Sequence, residues 1–164
     1  MIVYCLFIIT DVIADTQKPV HIQADKMVAS PTKKFIVFQG NVKVTQDNIQ
    51  LSAETLRVYM ISSENTVTMT KESVQKIDAS GNVRILWNDY RIEAETAEYL
   101  PPKNKLMVSG NMARLYQGTN TIAGSSIVLN LETDQVEISS KKGEQVEAIY
   151  EFSDQDMKEF KPKK

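Results

Sequence analysis

The sequence has 164 residues, with 19 basic against 21 acidic side chains and a formal net charge of −2. That is enough chain for one ordinary domain, and it lacks the basic surplus of a nucleic-acid binder; with no helix-turn-helix or RNP-like signature, no nucleic-acid partner is expected. Val, Ile and Thr number 15, 15 and 12 while only five prolines and six glycines interrupt the chain, a composition that favours strands.

In chain order, residues 2–9 form a run of eight apolar side chains, well short of the roughly 20 that a membrane-spanning helix needs. Val12-Ile13-Ala14 follows and fits the small-residue rule for signal peptidase, so residues 1–14 read as the end of a signal peptide cleaved before Asp15. Cys5, the only cysteine, lies in that run; the mature chain would have none, which is compatible with an oxidising compartment.

From Val20 onward the chain repeats. Ile22-Gln23-Ala24-Asp25, Leu51-Ser52-Ala53-Glu54, Ile92-Glu93-Ala94-Glu95 and Ile122-Ala123-Gly124-Ser125 share one pattern: apolar, polar or small, small, then acidic or hydroxyl. A second pattern interleaves with it: Gly40-Asn41-Val42, Gly81-Asn82-Val83 and Gly110-Asn111-Met112. The step from Gly40 to Leu51 equals that from Gly81 to Ile92, and the step from Gly110 to Ile122 is one longer. The second unit is longer than the others by an insertion between Ile61 and Ser73, which reads as a hairpin arm.

Within the first pattern, Ile22, Ala24, Met27 and Ala29 step by two, three and two, as do Leu51, Ala53, Leu56, Val58, then Ile92, Ala94, Ala97, Tyr99, then Ile122, Gly124, Ile127, Leu129. Steps of two keep side chains on one face of a strand; a step of three needs a bulge or corner to return to that face. The second pattern alternates around its glycine: Ile36, Phe38, Val42, Val44, then Ala79, Val83, Ile85, then Leu106, Val108, Met112. Turn sequences separate the halves at Asp47-Asn48, Asn88-Asp89 and Gly118-Thr119-Asn120 on one side, and at Pro31 to Lys34, Pro101 to Asn104 and Glu132 to Asp134 on the other. Bent antiparallel strands forming two facing layers around a continuous apolar interior are therefore expected, as a jelly-roll-like or solenoidal stack. The expected domain is 15–152, and 153–164, with four lysines in the final seven positions, reads as a frayed tail.

Reactive chemistry is scarce. His21 is the only histidine and is expected to face solvent, which argues against a zinc or triad site; no metal, cofactor or enzyme activity is expected. Asp25, Glu54 and Glu95 recur at the same place in different repeats, so they read as polar groups that satisfy a corner rather than as an acid-base pair. Trp87, beside a turn, reads as a packing residue. The first strand, 20–28, has Pro19 only at its entrance, and the last candidates, 136–138 and 146–150, have no proline, so both sheet edges look open to strand addition.

Pro19 to Asp25, then Phe38-Gln39-Gly40-Asn41-Val42-Lys43-Val44-Thr45-Gln46, then Ile49-Gln50-Leu51-Ser52-Ala53-Glu54 closely resemble the OstA-like family, over about residues 15–150. The resemblance implies an all-β fold, an open β-jelly roll, located in the periplasm, whose apolar groove carries the acyl chains of lipopolysaccharide. It also implies an LptC-like inner-membrane partner at the N-terminal edge, an LptD-like outer-membrane partner at the C-terminal edge, and head-to-tail self-association. On this basis the interior, lipid-binding residues are expected to be Val20, Ile22, Ile36, Phe38, Val42, Val44, Leu51, Leu56, Val58, Val83, Ile85, Ile92, Tyr99, Leu106, Val108 and Leu129, with Leu86 if a bulge turns it inward. Two alternatives stand beside it. An LptC-type protein of the same fold would keep a transmembrane helix at its N-terminus. A structural or carbohydrate-binding β-solenoid would need exposed aromatic rows, for which Trp87, Tyr90 and Tyr116 are the candidates.

Overall fold

A computed structural model describes residues 19–30, 32–61, 73–133 and 135–151. The signal peptide expected over 1–14, the arm expected between Ile61 and Ser73 and the tail 153–164 lie outside the described residues, except for the two residues that flank the arm.

Among the described residues the β-branched alternation forms ten strands in one antiparallel sheet: β1 (His21–Gln23), β2 (Lys26–Ser30), β3 (Phe35–Gln46), β4 (Ile49–Met60), β5 (Val74–Trp87), β6 (Tyr90–Leu100), β7 (Lys105–Gln117), β8 (Asn120–Asn130), β9 (Gln135–Ser139) and β10 (Glu147–Ile149). A 3-10 turn, Pro101–Lys103, joins β6 to β7, its prolines suited to the start of a turn that needs no N–H there. From β3 to β8 each strand pairs with the next in sequence, so the sheet is a meander. At its two ends the strand is broken in two: β1 and β2 both pair with β3, and β9 and β10 both pair with β8. The expected first strand is thus two pieces parted at Ala24-Asp25. The sheet does not close on itself.

Every long strand bends at one level. The register shifts between Gln39 and Val42 on β3, Ser52 and Thr55 on β4, Ser80 and Val83 on β5, Glu93 and Thr96 on β6, and Ser109 and Ala113 on β7. These shifts line up across the sheet and divide it into two limbs, the facing layers expected from the steps of three. Limb one ends in the turns at 47–48, 88–89 and 118–119, and limb two in those at 32–34, 101–104 and 131–133. A flat sheet would leave its apolar face in water. Here Ile92 on limb one is 1% exposed and Val108 on limb two 0% exposed, within one hydrophobic cluster, and no other layer exists among the described residues; the limbs therefore cover each other.

The repeated acidic residues build the corners. Asn41 Nδ2 donates to Asp25 Oδ2 at 2.8 Å, Asn82 Nδ2 to Glu54 Oε1 at 2.7 Å, and the Asn111 backbone N–H to Glu95 Oε1 at 3.1 Å. Gly40 and Asn41, and likewise Gly81 and Asn82, sit at consecutive positive φ, the left-handed region where Gly and Asn carry the least penalty. The fourth corner uses other residues: Ser125 Oγ donates to Glu144 Oε2 at 2.7 Å and accepts from the Lys141 N–H at 3.2 Å.

One expected alternation is corrected here. Met112 reads as inward-facing in sequence, but it is 50% exposed and Ala113 is the buried residue. The bulge on β7 spans four steps, from Ser109 to Ala113, opposite two on β8, whereas the bulge on β3 spans three, from Gln39 to Val42, opposite two on β4. The extra residue moves Met112 to the other face. Its trace in the sequence is the longer step from Gly110 to Ile122.

Candidate functional site

Paired residues of an antiparallel ladder project to the same face, so the registers define rows of inward side chains that cross every strand. On limb one a row runs Ile22, Val44, Leu51, Ile85, Ile92, Leu115, Ile122, Ala148. On limb two one row runs Ala29, Ile36, Val58, Ile77, Tyr99, Leu106, Leu129, Val136, and beside it another runs Met27, Phe38, Leu56, Ala79, Ala97, Val108, Ile127, Ile138. Tyr99 is the one polar-tipped side chain in the three rows; its burial raises the phenol pKa above the ordinary 10.0, so the hydroxyl is neutral at physiological pH.

Of the residues expected to line this interior, Ile36, Phe38, Val42, Leu56, Val58, Val83, Ile85, Ile92, Val108 and Leu129 are buried in the one cluster. Ile22, Val44, Leu51, Leu106 and Tyr99 are half-buried. Two expectations are corrected. Leu86 is 38% exposed and lies opposite Gln50 and Arg91 on the outer face, because β5 has regained strict alternation after its bulge and Ile85 already takes the inner face. Val20 is exposed because it precedes β1, whose ladder begins at His21, and no described residue pairs with it. Leu115 and Ile127 are buried interior residues that were not among those expected. Ile127 was legible in the two-three-two stepping, and Leu115 was hidden by the extra residue in β7.

The rows are buried in the middle of the sheet and surface at both ends. Met27 is 50% exposed at the β2 end and Val136 49% exposed at the β9 end, although both stand in register with fully covered neighbours. Val146 and Tyr150, on either side of β10, are exposed as well. The apolar interior therefore reaches the solvent at each open edge.

The outer face carries the charge. Lys76 Nζ lies 2.8 Å from Asp78 and 3.3 Å from Glu98, and Arg84 Nε lies 3.2 Å from Glu93. The hydrogen bond with Asp78 is the largest influence on Lys76 and raises its pKa above 10.5, against the opposing effect of burial. Such pairs on a solvated surface contribute little to stability; they keep the outer face wetted while the inner face is apolar.

Comparison with known proteins agrees with this architecture. The chain is 26% identical over 144 residues to the lipopolysaccharide export system protein LptA of Escherichia coli K12, covering 84% of this chain and 74% of that one. It is 21% identical over 126 residues to an uncharacterised protein of Rhizobium meliloti, covering 77% and 68%. In three dimensions it is similar to LptH, the LptA-homologous periplasmic component of the lipopolysaccharide transport device of Pseudomonas aeruginosa. That match has a TM-score of 0.67 at 18% identity, over 82% of this chain and 96% of that one, and it supports the open β-jelly-roll fold. The family described as LptA/(LptD N-terminal domain) LPS transport protein matches residues 21–135, from the first residue of β1 to the first of β9. With the repeated corners and the unclosed sheet already in place, this match is decisive: the chain belongs to the LptA/(LptD N-terminal domain) LPS transport protein family.

Proposed function

We propose that this protein is a periplasmic carrier that holds the acyl chains of lipopolysaccharide between its two limbs on the way from the inner to the outer membrane. One observation carries the reading: three inward apolar rows cross all levels of the sheet and emerge, still apolar, at both open edges. An enclosed core would need no exposed Met27 or Val136 in register with it. Burial of acyl methylenes is favourable by about 0.8 kcal/mol each, which makes such a channel a sink for a lipid and requires no catalysis.

In this reading residues 1–14 are the export signal and 15–152 the carrier domain. The β1/β2 edge receives an LptC-like inner-membrane protein and the β9/β10 edge delivers to an LptD-like outer-membrane protein. The same edges allow head-to-tail self-association, because each presents unpaired backbone groups to a strand of another chain.

Photo-crosslinking tests the cargo. Photoreactive residues at Ile36, Phe38 and Leu56 are expected to capture lipopolysaccharide, and those at Lys43 and Arg84, on the outer face, are not. Equal capture by both sets would overturn the reading.

A further inference from the structure

Among the described residues, hydrogen-bonded corners run along one side of the folded sheet, and the side opposite them lies between the two sets of hairpin turns. The inward margins along that opposite side differ. On limb two Met60, Val74 and Leu131 pack against the core, and the Met60 and Leu131 backbone N–H groups donate to the carbonyls of Lys34 and Asn104 at the turns; this margin has no aromatic pair among the described residues. On limb one the last inward row runs Gln46, Ile49, Trp87, Tyr90, Gln117, Asn120, one inward position beyond the apolar row that contains Ile85 and Ile92. Trp87 and Tyr90 lie half-buried against the core with ring centroids 6.0 Å apart and planes tilted by 35°. Gln117 Nε2 donates to the Tyr90 hydroxyl at 3.1 Å, and Asn48 Nδ2 donates to Asn88 Oδ1, tying the two turns above the aromatic pair together.

This row has a distinct chemistry. Its side chains are two aromatic rings, three amides and one isoleucine, with no charge among them. An aromatic face accepts the C–H face of a pyranose, and amides both donate to and accept from its hydroxyls. The absence of charge favours a neutral sugar ring over a phosphate.

We propose that the margin formed by Trp87, Tyr90, Gln117 and Asn120 binds a neutral hexopyranose ring of the glycolipid head group while the acyl chains occupy the interior beside it. This rests on the carrier reading, and it adds a polar subsite at the place where a head group must leave the apolar channel.

Trp87 is the only tryptophan in the chain, so its emission reports on the site directly. The full chain is titrated with three probes: deacylated and dephosphorylated lipopolysaccharide, which presents the sugars without acyl chains or phosphate; myristate, which is chain only; and whole lipopolysaccharide. The deacylated probe is expected to shift Trp87 emission saturably. Tyr90→Phe and Gln117→Ala, each removing one hydrogen-bonding group at a strand end, are expected to weaken that binding roughly three- to tenfold. Myristate affinity should stay unchanged in both variants, which also shows that they are folded. If myristate and whole lipopolysaccharide bind while the deacylated probe leaves the emission unmoved, the sugar subsite is wrong and the carrier stands. If the deacylated probe binds and neither lipid does, the sugar subsite stands and the carrier reading fails.

Discussion

Glu54 on β4 lies against Gly81 on β5, so closely that a Cβ on Gly81 would come within 2.6 Å of the carboxylate. The same glycine sits at φ +81°. The corner thus asks two things of this position, no side chain and a left-handed backbone, and only glycine supplies both.

The two demands can be separated. Gly118 also has positive φ, +59°, but nothing stands within 4 Å of its missing side chain. Gly118→Ala should cost about 1–2 kcal/mol for the backbone alone, and Gly81→Ala distinctly more. Chemical denaturation gives both values, and Glu54→Ala introduced beside Gly81→Ala should recover part of the difference. Equal losses at the two glycines would mean that the Glu54 contact contributes nothing to the corner.

Ile127, 0% exposed in the middle of an inward row, and Leu86 on the outer face test the assignment of faces. Ile127→Ala should lower the unfolding free energy by about 2–5 kcal/mol, because it leaves a cavity between the limbs. Leu86→Ala should change it by no more than roughly 0.5 kcal/mol. Thermal or denaturant unfolding of the two variants decides the matter.

Tyr99 should ionise above the ordinary phenol range. Burial raises its pKa above 10.0 in the folded protein, so the folded state holds its proton after the unfolded state has lost it. Its contribution to stability is therefore complete below pH 10 and is lost as pH rises from 10 through the folded pKa. Ultraviolet difference titration should show a late phenolate component that Tyr99→Phe removes.

Deleting residues 145–164 takes away β10, which pairs through Glu147, Ala148 and Ile149 with Ala123, Ile122 and Thr121; it removes only the exposed Ala148 from the inward rows and leaves β9 in place. The monomer should stay folded while head-to-tail growth is abolished. Because the contact joins two different edges, the intact chain should form concentration-dependent open filaments rather than a closed dimer. Analytical ultracentrifugation that finds both chains equally monomeric at high concentration would exclude self-stacking.

The order of amino acids alone sets the class of fold, the antiparallel succession of strands, the place of the turns and the level at which each strand bends. All of these follow from local chemistry: β-branched alternation, turn residues, and the Gly40-Asn41 and Gly81-Asn82 pairs where the backbone turns left-handed. Ile36, Phe38, Leu56 and Val58 could be placed on the inner face for the same reason, since alternation of period two is a property of one strand. Whatever depends on neighbours far along the chain emerged in three dimensions. The number of residues absorbed by each bulge is settled across the ladder, which is why Ala113 displaced Met112 and why Leu86 turned outward. The partners at the corners are likewise non-local: Glu54 meets Gly81 and Asn82, and Ser125 recruits Glu144 from the segment that interrupts the last strand. The closing of the limbs on each other belongs to the same level, because an apolar face read from sequence is buried only when another surface is folded against it.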